Sequence, residues 1–249
     1  MIKIFKYEFR IILCKLYVPV MLAASLIYSR YLLSTETILG VSDTAPFSGW
    51  SFGKYLGDSA LINMLITLLI ITFSFSERQK KAGMLTDVTA FPPKKRILIR
   101  SILIGGFFIF SMILSFLLGC IFLGSLFGEM HLGNYMSAWG LICLPCVFLI
   151  TGVGMLLGRK SPALIYVLML ICLVMAFAFK GAAIDINGAD YYMSMAAGLG
   201  DIEKTETAFS ISSGYLITRI VYLCIGAGAY ILTDIVYRGK KSRDTEFRI

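Results

Sequence analysis

The sequence predicts an all-α polytopic membrane protein. It has six transmembrane helices, both termini in the cytoplasm and an amphipathic N-terminal helix at the membrane interface. Three observations predict this. Of the 249 residues, 58% are hydrophobic and 15% charged, with a mean hydropathy of +0.82; a soluble domain is nearer 45–50% apolar and about 25% charged. The apolar residues form six continuous runs, whereas barrel strands would alternate in polarity over about ten residues. The cations are sorted to one side of those runs. Composition therefore excludes a soluble enzyme, a disordered chain and a disulfide scaffold, and the whole of 1–249 reads as one transmembrane domain.

The first element, 1–15, is an amphipathic helix. Ile2, Phe5, Phe9 and Ile12 share one face and Lys3, Lys6 and Arg10 the opposite one, a pattern that lies along a lipid surface with its cations in the headgroups. The same pattern also serves as a plain topological anchor. The apolar runs follow at about 17–34, 57–75, 97–126, 137–157, 162–179 and 214–237. Each approaches the roughly 20 helical residues that a 30 Å hydrocarbon core requires, and a helix satisfies its own backbone polar groups in lipid. The first run lacks a small-residue cleavage site and reads as an internal signal-anchor. The third is longer than a crossing needs, so Ile97 to Arg100 are expected at the interface. In the fourth, Pro145 marks a kink. The fifth carries no charge.

Orientation follows from Lys and Arg near the span ends. Four precede the first run, seven lie between Arg78 and Arg100, Arg159 and Lys160 follow the fourth, and five lie between Arg238 and Arg248. That is 18 on one face, against Lys54, Lys180 and Lys204 on the other. The split puts both termini inside. The net charge of +8 is an orientation signal and not a nucleic-acid footprint, because no basic stripe is interleaved with stacking aromatics on a soluble module.

Chemical motifs are few. Cys143-Leu-Pro-Cys146 has redox spacing, but a redox pair needs a polar, partly exposed setting, and mid-helix in an apolar run these thiols read as packing residues. A single histidine, His131, cannot build a zinc site. Gly239-Lys-Lys-Ser resembles the tail of a phosphate-binding loop without its first glycine or its strand. The chain is thus expected to be no enzyme and to bind no metal or cofactor itself. Twelve methionines and a heavy aromatic load suit lipid-facing and core positions; a pliable apolar conduit is the functional reading of the same residues.

Residues 77–96 carry the most information. Glu77 and Arg78 continue the second run beyond the membrane, and Gly83 breaks the helix. Leu85, Val88 and Phe91 then recur every three residues and give one short helix an apolar edge. Pro92-Pro93 ends it, and Lys94-Lys95-Arg96 hold the restart at the headgroups. An exposed apolar edge fixed between two spans is a docking knob for a cytoplasmic partner; packed back on the bilayer, it is an ordinary amphipathic turn.

Six spans, internal termini, the interfacial helix and this Glu77…Gly83-Met84…Pro92-Pro93-Lys94-Lys95-Arg96 loop resemble the permease subunit of ABC-2-type ABC transporters. The Gly-Thr usual in that family is replaced by Gly-Met, with Thr86 nearby. The size and loop pattern are most similar to small Firmicute permeases that export amphipathic or antimicrobial peptides. The resemblance implies a bacterial plasma-membrane exporter with a second permease copy, identical or related. A separate ATPase subunit would hold ATP and Mg and dock on Glu77, Arg78, Gly83, Leu85, Thr86, Val88, Phe91 and Pro92. It also implies short re-entrant helices within an extracellular loop, 180–213, one of them from Asp190 with Tyr192, Met195 and Ala196 on an edge.

Charges inside spans are costly and usually face protein or a cavity. Arg30 and Arg219 therefore read as snorkelling cations or as wall residues of a substrate pathway, facing acidic groups of a substrate or Asp58. Asn63 and Thr67 share a face of the second span. They read as a polar lining of that pathway or as interhelical hydrogen-bonding groups. The alternative to an exporter is a non-transporting scaffold or sensor that recruits a partner through the same loop.

Overall fold

A computed structural model of the chain describes residues 2–37, 49–76, 93–127, 132–178, 185–198 and 211–246. Among these the structure is 92% helix and contains no strand. The helices are α1 (Ile2–Ile12), α2 (Tyr17–Leu32, continued by a π turn, Leu33–Thr37), α3 (Gly49–Ser74), α4 (Pro93–Phe127), α5 (Leu132–Lys160), α6 (Pro162–Ala178), α7 (Ala189–Gly198) and α8 (Ser213–Glu246). Prolines open α4 and α6, where a missing N–H costs nothing and φ is already helical. Ser161, held before Pro162, separates α5 from α6 because the α region is disfavoured there.

Five of these helices are long and apolar enough to cross a membrane: Tyr17–Thr35, Gly49–Ser74, Arg96–Ser125, Leu132–Lys160 and Ser213–Thr233. The chain is thus a helical protein with several candidate spans. The expected fifth span corresponds to α6, which is apolar but has 17 residues, about 26 Å of helix, a little under the hydrocarbon thickness.

Three boundaries differ from expectation. The second span begins at Gly49 and not near 57, because Trp50, Phe52 and Tyr55 are buried and extend the helix by two turns of aromatic packing. The third begins at Pro93 and not near 97, so Lys94-Lys95-Arg96 form the first turn of α4. Beyond the sixth, α8 continues to Glu246, making residues 238–246 helix.

The helix at the centre is α3. It packs against α2, α4, α5, α6 and α7, and 67% of its apolar window is buried, against 22% for α8. Among helix pairs, α5 and α8 have the most extensive contact. Gly152 and Gly226 make it possible: a Cβ on Gly152 would lie 2.3 Å from the Gly226 carbonyl oxygen, and one on Gly226 would lie 2.3 Å from the Phe148 carbonyl carbon. Small residues let apolar helices approach to backbone contact. The Tyr230 hydroxyl donates to Thr151, and Arg159 caps the seam by donating to the Thr233 carbonyl at 3.0 Å.

Adding a side chain at this crossing therefore has to separate α5 from α8. Gly226→Val is expected to lower stability by about 2 kcal/mol or more, whereas Gly228→Ala, whose Cβ meets nothing within 4 Å, leaves it within about 0.5 kcal/mol of wild type or raises it. Thermal unfolding of the detergent-purified proteins measures both.

Candidate functional site

Three polar assemblies sit within the apolar bundle. The first joins α2, α3 and α4 in two layers. In one, the hydroxyls of Ser25 and Ser111 donate to Asn63 Oδ1 at 2.7 and 2.8 Å. Asn63 Nδ2 donates to the Ser59 carbonyl at 2.9 Å and lies 3.4 Å from Met112 Sδ. In the other, Ser29 bonds Ser59 at 3.2 Å and Ser115 at 3.0 Å, and the Tyr55 hydroxyl donates to the Ser115 carbonyl at 2.8 Å. Each helix contributes residues four apart, one turn, so the layers stack about 6 Å from one another. All six of these small polar side chains are buried.

The second assembly lies near the start of α3. Arg219 of α8 is 2% exposed. Its guanidinium donates to the carbonyls of Asp185 and Ile186 at 2.8 and 2.9 Å and stands 3.5 Å from the Asp185 carboxylate. It also lies 4.6 Å from the centre of the Tyr215 ring. Asp185 does double duty, accepting the Gly188 and Tyr191 amides at 2.7 and 3.0 Å, so the same carboxylate that faces Arg219 ties down the first turn of α7. Burial pushes the Asp185 carboxyl above its ordinary value, against the pull of Arg219 and the two amides. Gly188 between them has φ +92°, a backbone angle that favours glycine. Asn187 donates to the Gly57 carbonyl at 3.2 Å, Tyr191 stacks on Tyr215 with centroids 3.9 Å apart, and α7 lies directly on Gly53 and Gly57 of α3.

The third lies at the other end of α3. Glu8 of α1 is 1% exposed. Its carboxylate accepts Arg96 Nε at 2.6 Å and Arg100 Nη2 at 2.9 Å, and Arg100 also donates to the Ser74 carbonyl at 2.9 Å. Carboxylates held this way by arginine make the stronger class of hydrogen bond.

The residues singled out from sequence are distributed as follows. Asn63 and Thr67 are buried on α3, Asn63 at the centre of the first assembly and Thr67 donating to the Asn63 carbonyl at 2.7 Å. Arg30 is exposed, with its guanidinium 4.7 Å from the centre of the Phe122 ring. Asp58 is half-buried on α3. The carboxylate opposite Arg219 is not Asp58 but Asp185, because the Asp-Ile-Asn-Gly turn brings its own carbonyls and side chain onto α8. In α1 the buried face is Glu8 and Ile12, while Phe5 and Phe9 are exposed, since the two arginines of α4 draw Glu8 inward. Cys143 and Cys146 are buried, and Cys146 Sγ lies 3.4 Å from the Ile186 carbonyl. The expected helix from Asp190 is α7, with Tyr192 buried and Met195 packed on the core. Glu77, Arg78, Gly83, Leu85, Thr86, Val88, Phe91 and Pro92 lie outside the described residues. Among the described residues no cluster of three or more His, Cys, Asp or Glu could hold a metal ion.

Sequence reasoning missed Glu8, Asp185 and the five serines around Asn63. Glu8 is the single acid in a basic helix, and Asp185 opens an Asp-x-Asn-Gly turn. No protein-family model, curated protein or solved structure matches the chain.

Removing Asp185 leaves a guanidinium that cannot be neutralised buried without its counter-charge. Asp185→Asn is expected to cost roughly 3 kcal/mol. With Arg219→Leu, the double variant should lose less than the two singles together, by about 1–3 kcal/mol. Thermal unfolding in detergent closes the cycle; strictly additive losses would separate the two residues energetically.

Proposed function

We propose that the chain is the membrane-spanning permease subunit of an ATP-driven ABC-2-type exporter in a bacterial plasma membrane, exporting an amphipathic peptide cargo. In this reading it has six spans, both termini inside and α1 at the inner interface. It pairs with a second permease copy, identical or related, and two ATPase subunits hold ATP and Mg beneath. The 77–96 segment is the coupling loop, and α7 belongs to the outer loop, 180–213.

The observation that carries this reading is the pattern of that loop: Glu77, Gly83, the apolar edge of Leu85, Val88 and Phe91, then Pro92 and the Lys94-Lys95-Arg96 restart. The helices that flank it support the reading. The loop connects the end of α3, which packs against five other helices, to the first turns of α4. Arg100 ties those turns to the Ser74 carbonyl, and Glu8 ties them to α1. A push on the loop thus reaches α3 and α4 as a unit, and through Asn63 it reaches α2. Arg30, Asp58, Asn63, Thr67 and Arg219 are the proposed polar residues of the pathway. Among them, Asn63 and Arg219 hold helices together and would change partners as the bundle opens.

The test is a pull-down from mildly solubilised membranes of the native host, with mass spectrometry of what co-purifies. Wild type is expected to bring down an ATP-binding-cassette subunit. Leu85→Glu with Phe91→Glu is expected to insert at wild-type levels, lose the ATPase by at least about tenfold and abolish transport, since an apolar anchor in a docked interface is worth about 2 kcal/mol or more. Export undiminished in that variant would contradict the coupling role. A wild-type pull-down without an ATPase would favour the scaffold or sensor.

A further inference from the structure

An apolar groove of about 920 Å³ runs between α1, the start of α2 and the first half of α4, near the top of the roughly 300–1,000 Å³ range of ligand clefts. Phe5, Phe9 and Leu16 line one side, and Gly106, Phe107 and Phe110 the other. Phe5, Phe9, Leu16 and Phe110 are exposed along it. The α4 wall, Ile102 to Phe110, extends about 12 Å along the helix axis and lies inside the candidate span Arg96–Ser125. Lys15 is the one charged residue that lines it, and Lys6 and Arg10 are exposed on α1 outside the lining. Among the described residues no carboxylate pairs with any of these three cations, because the one acid of α1, Glu8, is turned inward onto Arg96 and Arg100.

We infer that this groove is a binding site for an anionic phospholipid of the leaflet on the α1 side. One acyl chain lies along Phe107 and Phe110, and the phosphate-bearing headgroup sits at Lys15, the cation in the groove's own lining. Charge complementarity selects this occupant. An apolar groove whose one charged lining residue is Lys15 matches a negative headgroup on a hydrocarbon chain, and each basic residue near such lipids adds an attraction of several-fold in affinity. The site needs a membrane, but neither an ATPase nor a transported cargo. By filling the gap beneath α1, the lipid braces the helix that Glu8 pins to α4.

Gly106 supplies a clean probe. A Cβ there meets nothing within 4 Å and Gly106 lines the groove, so Gly106→Leu starts its side chain in the groove's open space and improves helix propensity. The experiment is native mass spectrometry of the delipidated full chain, titrated with palmitoyl-oleoyl phosphatidylglycerol or the phosphatidylcholine of the same chains. Wild type is expected to retain phosphatidylglycerol about tenfold better. Lys15→Glu should erase that preference, and Gly106→Leu should reduce retention of both lipids. Both variants should unfold at the wild-type temperature in lipid-free detergent. Equal retention of the two lipids by wild type, or unchanged retention by Gly106→Leu, would overturn the inference. So would a lipid-free dimer that Gly106→Leu converts to monomer, which would give the groove to a second copy.

Discussion

Hydrogen bonds at three levels of α3 hold the bundle in register. Near its start, the Gly57 carbonyl takes Asn187. At its middle, Asn63 takes Ser25 from α2 and Ser111 from α4. At its end, the Ser74 carbonyl takes Arg100. Apolar helices in lipid gain little from burying one greasy face against another, so packing and interhelical hydrogen bonds must choose the partners. Leucine and phenylalanine fit many rotations of a helix, whereas Asn63 with two donors and one carbonyl oxygen fits very few. The serines that meet it are small enough to let the backbones close in around it.

The same constraint explains both ends of the bundle. Arg219 and Glu8 are charges that would be costly to bury alone, and each is enclosed by groups from a different part of the chain. Arg219 makes the 185–188 turn fold back over α8, and the turn carries α7 onto Gly53 and Gly57. Glu8 makes α1 fold back over α4. The two knots lie about 26 Å apart along α3, taking 1.5 Å per residue from Gly57 to Ser74. Rigid-body movement of α3 would therefore be felt at both, which is the property a transporter needs when work done at one face must open a path at the other.

The broad architecture was legible because hydropathy and helix length answer to one solvent. The runs at 17–34, 137–157 and 162–179 fell within a few residues of α2, α5 and α6. Asn63 was visible as a polar residue in an apolar run, and its neighbours follow a readable rule in hindsight: Ser25 and Ser29, Ser59 and Asn63, and Ser111 and Ser115 each stand four apart on three successive helices. The partners of the buried charges were not legible. Asp185 lies 34 residues from Arg219, and Glu8 lies 88 and 92 from its arginines, and no local period encodes such distances. The inward turn of Glu8 was not legible for the same reason: the spacing of Phe5 and Phe9 marks the apolar face of α1, and the arginines that draw Glu8 in lie on α4.

Vectorial transport tests the central functional claim most directly. The chain would be reconstituted into liposomes with the ATPase subunit proposed as its partner, oriented with the nucleotide sites outward, and given a fluorescent amphipathic peptide and ATP with Mg. The account predicts ATP-dependent accumulation of the peptide in the lumen, absent when the ATPase cannot hydrolyse. Accumulation that is the same without ATP, or absent from a complex that hydrolyses ATP normally across a range of amphipathic peptides, would contradict it.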